Sequence, residues 1–183
     1  MENKYPIDLN GKTYQLSEKV IGELIKKRMK QSKVIMGSFS RYGLPVEILD
    51  QLIIVIKPLE DQKKYAESDG EKMILCEKIF EKGDFFRNWF FVPAHEIFHV
   101  ICRNAKVQTE DQDKEENFLK DPEEIDAFIL AIAYEREKNT DPQIIWERIF
   151  PKISFHFRSD CQRQAKDLFE KMVEEAIEIY KNC

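Results

Sequence analysis

Pro93-Ala94-His95-Glu96-Ile97-Phe98-His99-Val100-Ile101-Cys102-Arg103-Asn104 is the stretch around which this chain is read. It carries the pattern H-E-x-x-H in a segment with helical periodicity. An α-helix advances about 100° per residue, so side chains four positions apart stand one above the other. His95 and His99 therefore project from one face, at the spacing that lets two imidazoles hold one metal ion. Glu96 lies beside them, where a carboxylate can reach a water at that metal. In sites of this pattern the imidazoles bind zinc and the glutamate acts as general base.

The flanking residues favour a helix. Pro93 suits a first helical position, where a missing N–H costs nothing. Ala94, Ile97, Phe98 and Ile101 follow the i, i+3, i+4, i+7 rule and form an apolar stripe. That stripe can lie on a core while the histidines face a cleft. A pattern with so few fixed positions arises by chance in many chains. Here two of the chain's three histidines form the pair, and they fall on an amphipathic helix as the chemistry requires. Cys102 stands near the edge of the same face.

Composition bounds the rest. The chain has 183 residues, 43% hydrophobic and 34% charged, which describes a folded protein with material for a substantial core. A single domain over residues 1–183 is expected. The net charge of -5 argues against a broad nucleic-acid-binding face. No apolar run approaches the ~18 residues that span a membrane. Met1-Glu2-Asn3-Lys4-Tyr5-Pro6 lacks the apolar core of a signal peptide. Cys76, Cys102, Cys161 and Cys183 form no C-x-x-C pair and read as scattered reduced thiols. The expected setting is cytoplasmic, with no membrane partner.

Outward from the motif, Asn10-Gly11 predicts a type I′ turn and a small hairpin over residues 5–16. Ser17 can cap a helix running to about Lys30, with Val20, Ile21, Leu24, Ile25 and Met29 as its apolar face. Leu52 to Ile56 is the clearest strand, stopped by Pro58. Asp61 to Glu71 reads as a polar loop, and Met73 to Phe80 as a second strand. The aromatic run Phe85 to Val92 reads as core leading into the motif helix. The acidic connection over 105–120 reads as a solvated loop.

Asp121-Pro122-Glu123-Glu124 starts a further helix, with Asp121 as N-cap, Pro122 at N1 and Glu124 at N3. Ile125 to Arg136 is apolar nearly all round, so this helix should be buried. Asp141 can cap another helix that Pro151 ends, and Ile153 to Phe157 is ambiguous between strand and helix. Ser159 and Gln162 resemble a capping box for a last helix. Its stripe, Ala165 to Tyr180, reads as core-facing rather than as a dimer seam.

A catalytic zinc commonly takes three protein ligands and a water, so two histidines are not sufficient. His156 is one candidate for the third. Glu124 is better placed, 25 residues after His99 on the buried helix, with Ala127 and Leu130-Ala131 following. Glu123 and Asp126 are its nearest substitutes. As an N3 residue, Glu124 could instead serve the backbone at Asp121.

The pairing of His95-Glu96-x-x-His99 with Glu124-x-x-Ala127-x-x-Leu130-Ala131 resembles the zincin metallopeptidases of the Glu-ligand, gluzincin-like kind. It is similar in particular to the ImmA/IrrE-like peptidases, over roughly residues 52–134. Leu130 stands where those families commonly have an aromatic. The resemblance implies an α+β fold. A small twisted sheet would pack on the H-E-x-x-H helix and the Glu-ligand helix, with additional N- and C-terminal helices. Met73 to Phe80 would be an edge strand able to pair with an extended peptide. The expected function is zinc-dependent hydrolysis of a peptide or protein substrate. His95, His99 and Glu124 would hold Zn²⁺, and Glu96 would be the base. His156 and Tyr134 are the candidate stabilisers of the oxyanion. The alternative is a regulatory or binding protein on the same fold with little peptidase activity.

Overall fold

The computed structural model describes residues 3–61, 64–106, 121–155, 157 and 161–181. The architecture is α+β, as the resemblance implies. Strands β1 (Lys4–Leu9) and β2 (Lys12–Ser17) form the expected antiparallel hairpin. Its tip is Asn10 at φ 55° and Gly11 at φ 78°, both left-handed, as a type I′ turn requires. Gly11 N–H donates to Asp8 Oδ1 at 2.9 Å. The Asp8 amide donates to the Gly83 carbonyl at 2.7 Å, fixing the hairpin to the body, and Ile7 is fully buried.

Helix α1 (Glu18–Gln31) follows Ser17, whose side chain makes no capping bond, and buries Ile21, Ile25 and Met29, while Val20, expected on the apolar face, is exposed. Helix α2 (Lys33–Arg41) and the single turn α3 (Ile48–Gln51) occupy residues that gave no clear pattern. Ser32 starts α2: its Oγ accepts from the Ile35 amide at 3.1 Å.

Strands β3 (Ile53–Lys57), β4 (Ala66–Ser68) and β5 (Lys72–Cys76) form one sheet in the order β3-β5-β4. The β3–β5 pair is parallel and the β4–β5 pair antiparallel. Two expectations are corrected here. The second strand ends at Cys76 and turns into a 3₁₀ segment, Glu77–Ile79, so it does not reach Phe80. It is also the central strand, not an edge. The edge is β4, three residues inside the stretch read as a polar loop. On the far side, Ile56 N–H donates to Glu18 Oε2 at 2.9 Å, and Tyr5 O–H donates to the Ile56 carbonyl at 3.4 Å. Those contacts occupy the outer backbone groups of β3 at Ile56.

After the single turn α4 (Phe85–Asn88), helix α5 (Phe91–Asn104) carries the motif. It begins two residues before Pro93, which sits in its first turn rather than at the first position. All amides of that turn lack an intrahelical partner, so proline is accommodated there as well. Helix α6 (Pro122–Glu137) packs along α5 and is buried from Ala127 to Glu135. Helix α7 (Pro142–Ser154) starts at the expected cap, Asp141, but continues through Pro151 to Ser154. The proline falls in the last turn and the amide of Phe155 still bonds its carbonyl at 3.2 Å. Ile153 is therefore helical, and the 153–157 ambiguity resolves toward helix as far as Ser154. Helix α8 (Gln162–Lys181) packs on α6 and α7. The Ser159 cap, most of the acidic connection and Cys183 lie outside the described residues.

The aromatic run is core as expected: Phe85 and Phe90 are fully buried, and Phe80 stacks on Phe85 with ring centres 4.3 Å apart. Among these apolar groups Glu135 is buried outright. It accepts from Arg148 Nη1 at 3.1 Å, Lys138 Nζ at 3.3 Å and Thr140 Oγ1 at 2.8 Å, joining α6 to α7. Among the described residues no helix is long and apolar enough to cross a membrane.

Candidate metal centre

Two helices build the site. On α5 the apolar face (Ala94, Ile97, Phe98, Ile101) is buried, which turns His95 and His99 toward the first turn of α6. That turn is set by Asp121, whose side chain accepts from the Glu123 amide at 2.9 Å. Pro122 at N1 and the cap fix where the helix begins, and so which way Glu123 and Glu124 point.

His95 Nε2 and His99 Nε2 lie 3.2 Å apart. Glu124 Oε2 is 3.3 Å from His95 Nε2, and Glu124 Oε1 is 3.5 Å from His99 Nε2. One donor atom from each residue falls within 4.8 Å of the others, so His95, His99 and Glu124 form a group that could hold a metal ion. Glu124 thus stands with the histidines, as expected of it.

Glu123 and Glu124 divide their tasks. Glu123 Oε1 lies 2.7 Å from His99 Nδ1. A carboxylate only accepts, so Nδ1 carries the hydrogen of this bond. In the neutral ring Nε2 is then a bare lone pair, and it faces another imidazole nitrogen and a carboxylate oxygen. Electron-rich atoms converging in this way suit a cation. A carboxylate behind a ligating histidine is also the usual means of fixing its tautomer. Glu123, read from sequence as a substitute ligand, instead bonds His99 from behind the group.

Electrostatics agree with the geometry. Burial lowers the tendency of His99 to hold a proton, but the bond from Glu123 and the charges of Glu124 and Glu96 more than reverse this. Its pKa is raised above the ordinary 6.5, so without a metal the site attracts a proton instead. The His95 ring packs on Phe128 with centres 4.5 Å apart. Cys102 is not one of the converging donors: burial, then the charge of Glu123, pushes its thiol up to about 12. A metal ligand would have to be the thiolate.

Glu96 is buried beside the group, and Ser68 on β4 donates to its Oε2 at 2.7 Å. The same hydroxyl lies 3.1 Å from the Glu96 carbonyl oxygen. Sequence reasoning missed Ser68, because a three-residue strand shows no periodicity.

Tyr134 is not brought to the centre. It lies ten residues beyond Glu124 on one helix, about 15 Å along its axis. There its ring packs on Phe90, at 5.1 Å between centres, and Lys138 Nζ lies over it at 5.2 Å. Burial pushes its phenol pKa up. The oxyanion role expected for Tyr134 is therefore withdrawn on distance. His156 lies outside the described residues. No family model, curated protein or solved structure matches this chain.

Proposed function

We propose that this protein is a zinc-dependent peptidase of the Glu-ligand zincin type. The observation that carries the reading is the convergence of His95 Nε2, His99 Nε2 and the Glu124 carboxylate beside a buried Glu96. Ligands about 2.0–2.1 Å from a tetrahedral ion stand about 3.4 Å from one another. The two Nε2 atoms here are 3.2 Å apart, Glu124 Oε2 stands 3.3 Å from one and Glu124 Oε1 3.5 Å from the other, and one donor atom from each residue lies within 4.8 Å of the others. Two imidazoles and one carboxylate also form a known ligand set of catalytic zinc.

His95, His99 and Glu124 would hold the ion, which when bound polarises a peptide carbonyl and acidifies water. Glu96 accepts the proton of the attacking water and returns it to the leaving amine nitrogen. Glu123 keeps His99 in the tautomer that offers Nε2. The edge position of β4 supports an extended peptide or protein segment as substrate, paired along the sheet.

The test is zinc content by elemental mass spectrometry together with turnover of a broad peptide library. About one zinc per chain is expected in the parent, with loss in His95→Ala and Glu124→Ala. Glu96→Gln should keep zinc and lose turnover about 10²–10⁴-fold. Zinc retained in Glu124→Ala would remove Glu124 from the ligand set. Full turnover in Glu96→Gln would remove the mechanism. A zinc-loaded parent that cleaves nothing would move the function to a binding protein on this fold.

A further inference from the structure

Ser68 stands where the sheet edge meets the buried carboxylate. The bonds from Cys76 N–H to the Tyr65 carbonyl (2.8 Å) and from Asp69 N–H to the Lys72 carbonyl (2.9 Å) fix the antiparallel register. Bonded pairs in such a ladder recur every second residue, so they fall on Tyr65, Glu67 and Asp69. The backbone groups of Ala66 and Ser68 therefore face away from β5, toward the side of β4 that pairs with no strand among the described residues. The Ser68 side chain meanwhile holds Glu96 Oε2 at 2.7 Å.

A carboxylate turns about its last bond in a broad, two-fold well, so little in Glu96 itself selects which oxygen faces the cleft. A hydrogen bond to an ionised oxygen is strong enough to make that choice. With Oε2 committed to Ser68, Oε1 is the oxygen left to take a proton. We infer that Ser68 is a positioning residue: its hydroxyl orients Glu96, and its outward backbone registers an extended peptide against that base. This rests on the peptidase reading above. It adds to it a residue that couples strand pairing, through its backbone, to proton transfer, through its side chain.

The decisive comparison is Ser68→Thr against Ser68→Val, two β-branched residues of one shape that differ by the hydroxyl. Ser68→Ala is the control should valine disturb folding. Four quantities are measured: kcat and KM on a peptide the parent cleaves, zinc content, and the ¹³C carboxyl resonance of Glu96 in chelator-treated protein. The resonance is assigned by its loss in Glu96→Gln. Valine and alanine should lower kcat about 10–100-fold with KM little changed and zinc retained. Their Glu96 resonance should move. Threonine should stay within about threefold of the parent in kcat, with a parent-like resonance. Parent-like kcat in Ser68→Val, or equal losses in the valine and threonine proteins, would overturn the role of the hydroxyl while leaving the peptidase reading intact. A rise in KM with kcat preserved would reduce Ser68 to a strand residue. A zinc-loaded parent without turnover would overturn the peptidase reading, and the positioning role with it.

Discussion

At the scale of single residues, the centre depends on neighbours doing different work. Glu123 and Glu124 are adjacent and chemically identical, yet one meets His99 Nδ1 and the other the two Nε2 atoms. Glu123→Ala should keep one zinc per chain but weaken its binding about 10–100-fold, read by competition with a chelator. A loss of stoichiometry instead would make Glu123 a ligand. The pH dependence follows from His99. Its folded-state pKa is raised, so in metal-free protein its contribution is fully present below about pH 6.5 and is lost as pH rises through the folded value. Zinc needs the neutral ring, so stabilisation by zinc should grow over the same rise. Thermal melts at about pH 6 and 8 should show a widening gap between loaded and chelated protein. The decline of the chelated form should be absent in His99→Gln. The His95–His99 pair was legible because a four-residue spacing on a helix is a local rule. The division between Glu123 and Glu124 was not, because it depends on where a second helix lies across the first. Tyr134 shows the converse error: membership of the ligand helix does not bring a residue near the ligand when ten positions intervene.

At the scale of elements, the site is as firm as the first turn of α6. Asp121 was readable as a cap because its partner, the Glu123 amide, is two residues away. Asp121→Ala should cost about 1 kcal/mol in chemical denaturation, and Asp121→Asn much less. Because that turn carries both glutamates, the alanine protein should also bind zinc more weakly. Unchanged affinity would mean that the helix start is held by other contacts. The strands were less readable. β3 announced itself through a β-branched run, but β4 is too short for alternation to show. The central place of β5 depends on partners on both sides, which no local pattern encodes. Pro151 misled for a related reason. A proline inside a helix removes one amide bond, yet this helix continues past it, and the Phe155 amide still bonds the Pro151 carbonyl.

At the scale of the molecule, Glu135 joins parts that are distant in the chain. It accepts from Arg148, Lys138 and Thr140, and Arg148 Nη2 also donates to Asn88 Oδ1 at 2.6 Å, which brings in α4. Glu135→Ala would leave two part-buried cations without their carboxylate. Urea denaturation should show a loss of about 2–4 kcal/mol, short of a fully buried pair because both cations retain some solvent. A loss under about 1 kcal/mol would show that water replaces the carboxylate readily. The α+β arrangement itself was implied by the resemblance that the motif helix and its buried partner carry, while the contacts that lock the elements together were not. The covering of β3 at Ile56 by Glu18 and Tyr5 reaches beyond the single chain. A sheet blocked on one side can be extended only on the other. Two copies meeting through β4 would close on each other as a symmetric pair, leaving as the other edge of this sheet a strand that Glu18 and Tyr5 cover at Ile56. The three-stranded sheet thus offers a guest strand its β4 side, away from the contacts that Glu18 and Tyr5 make at Ile56.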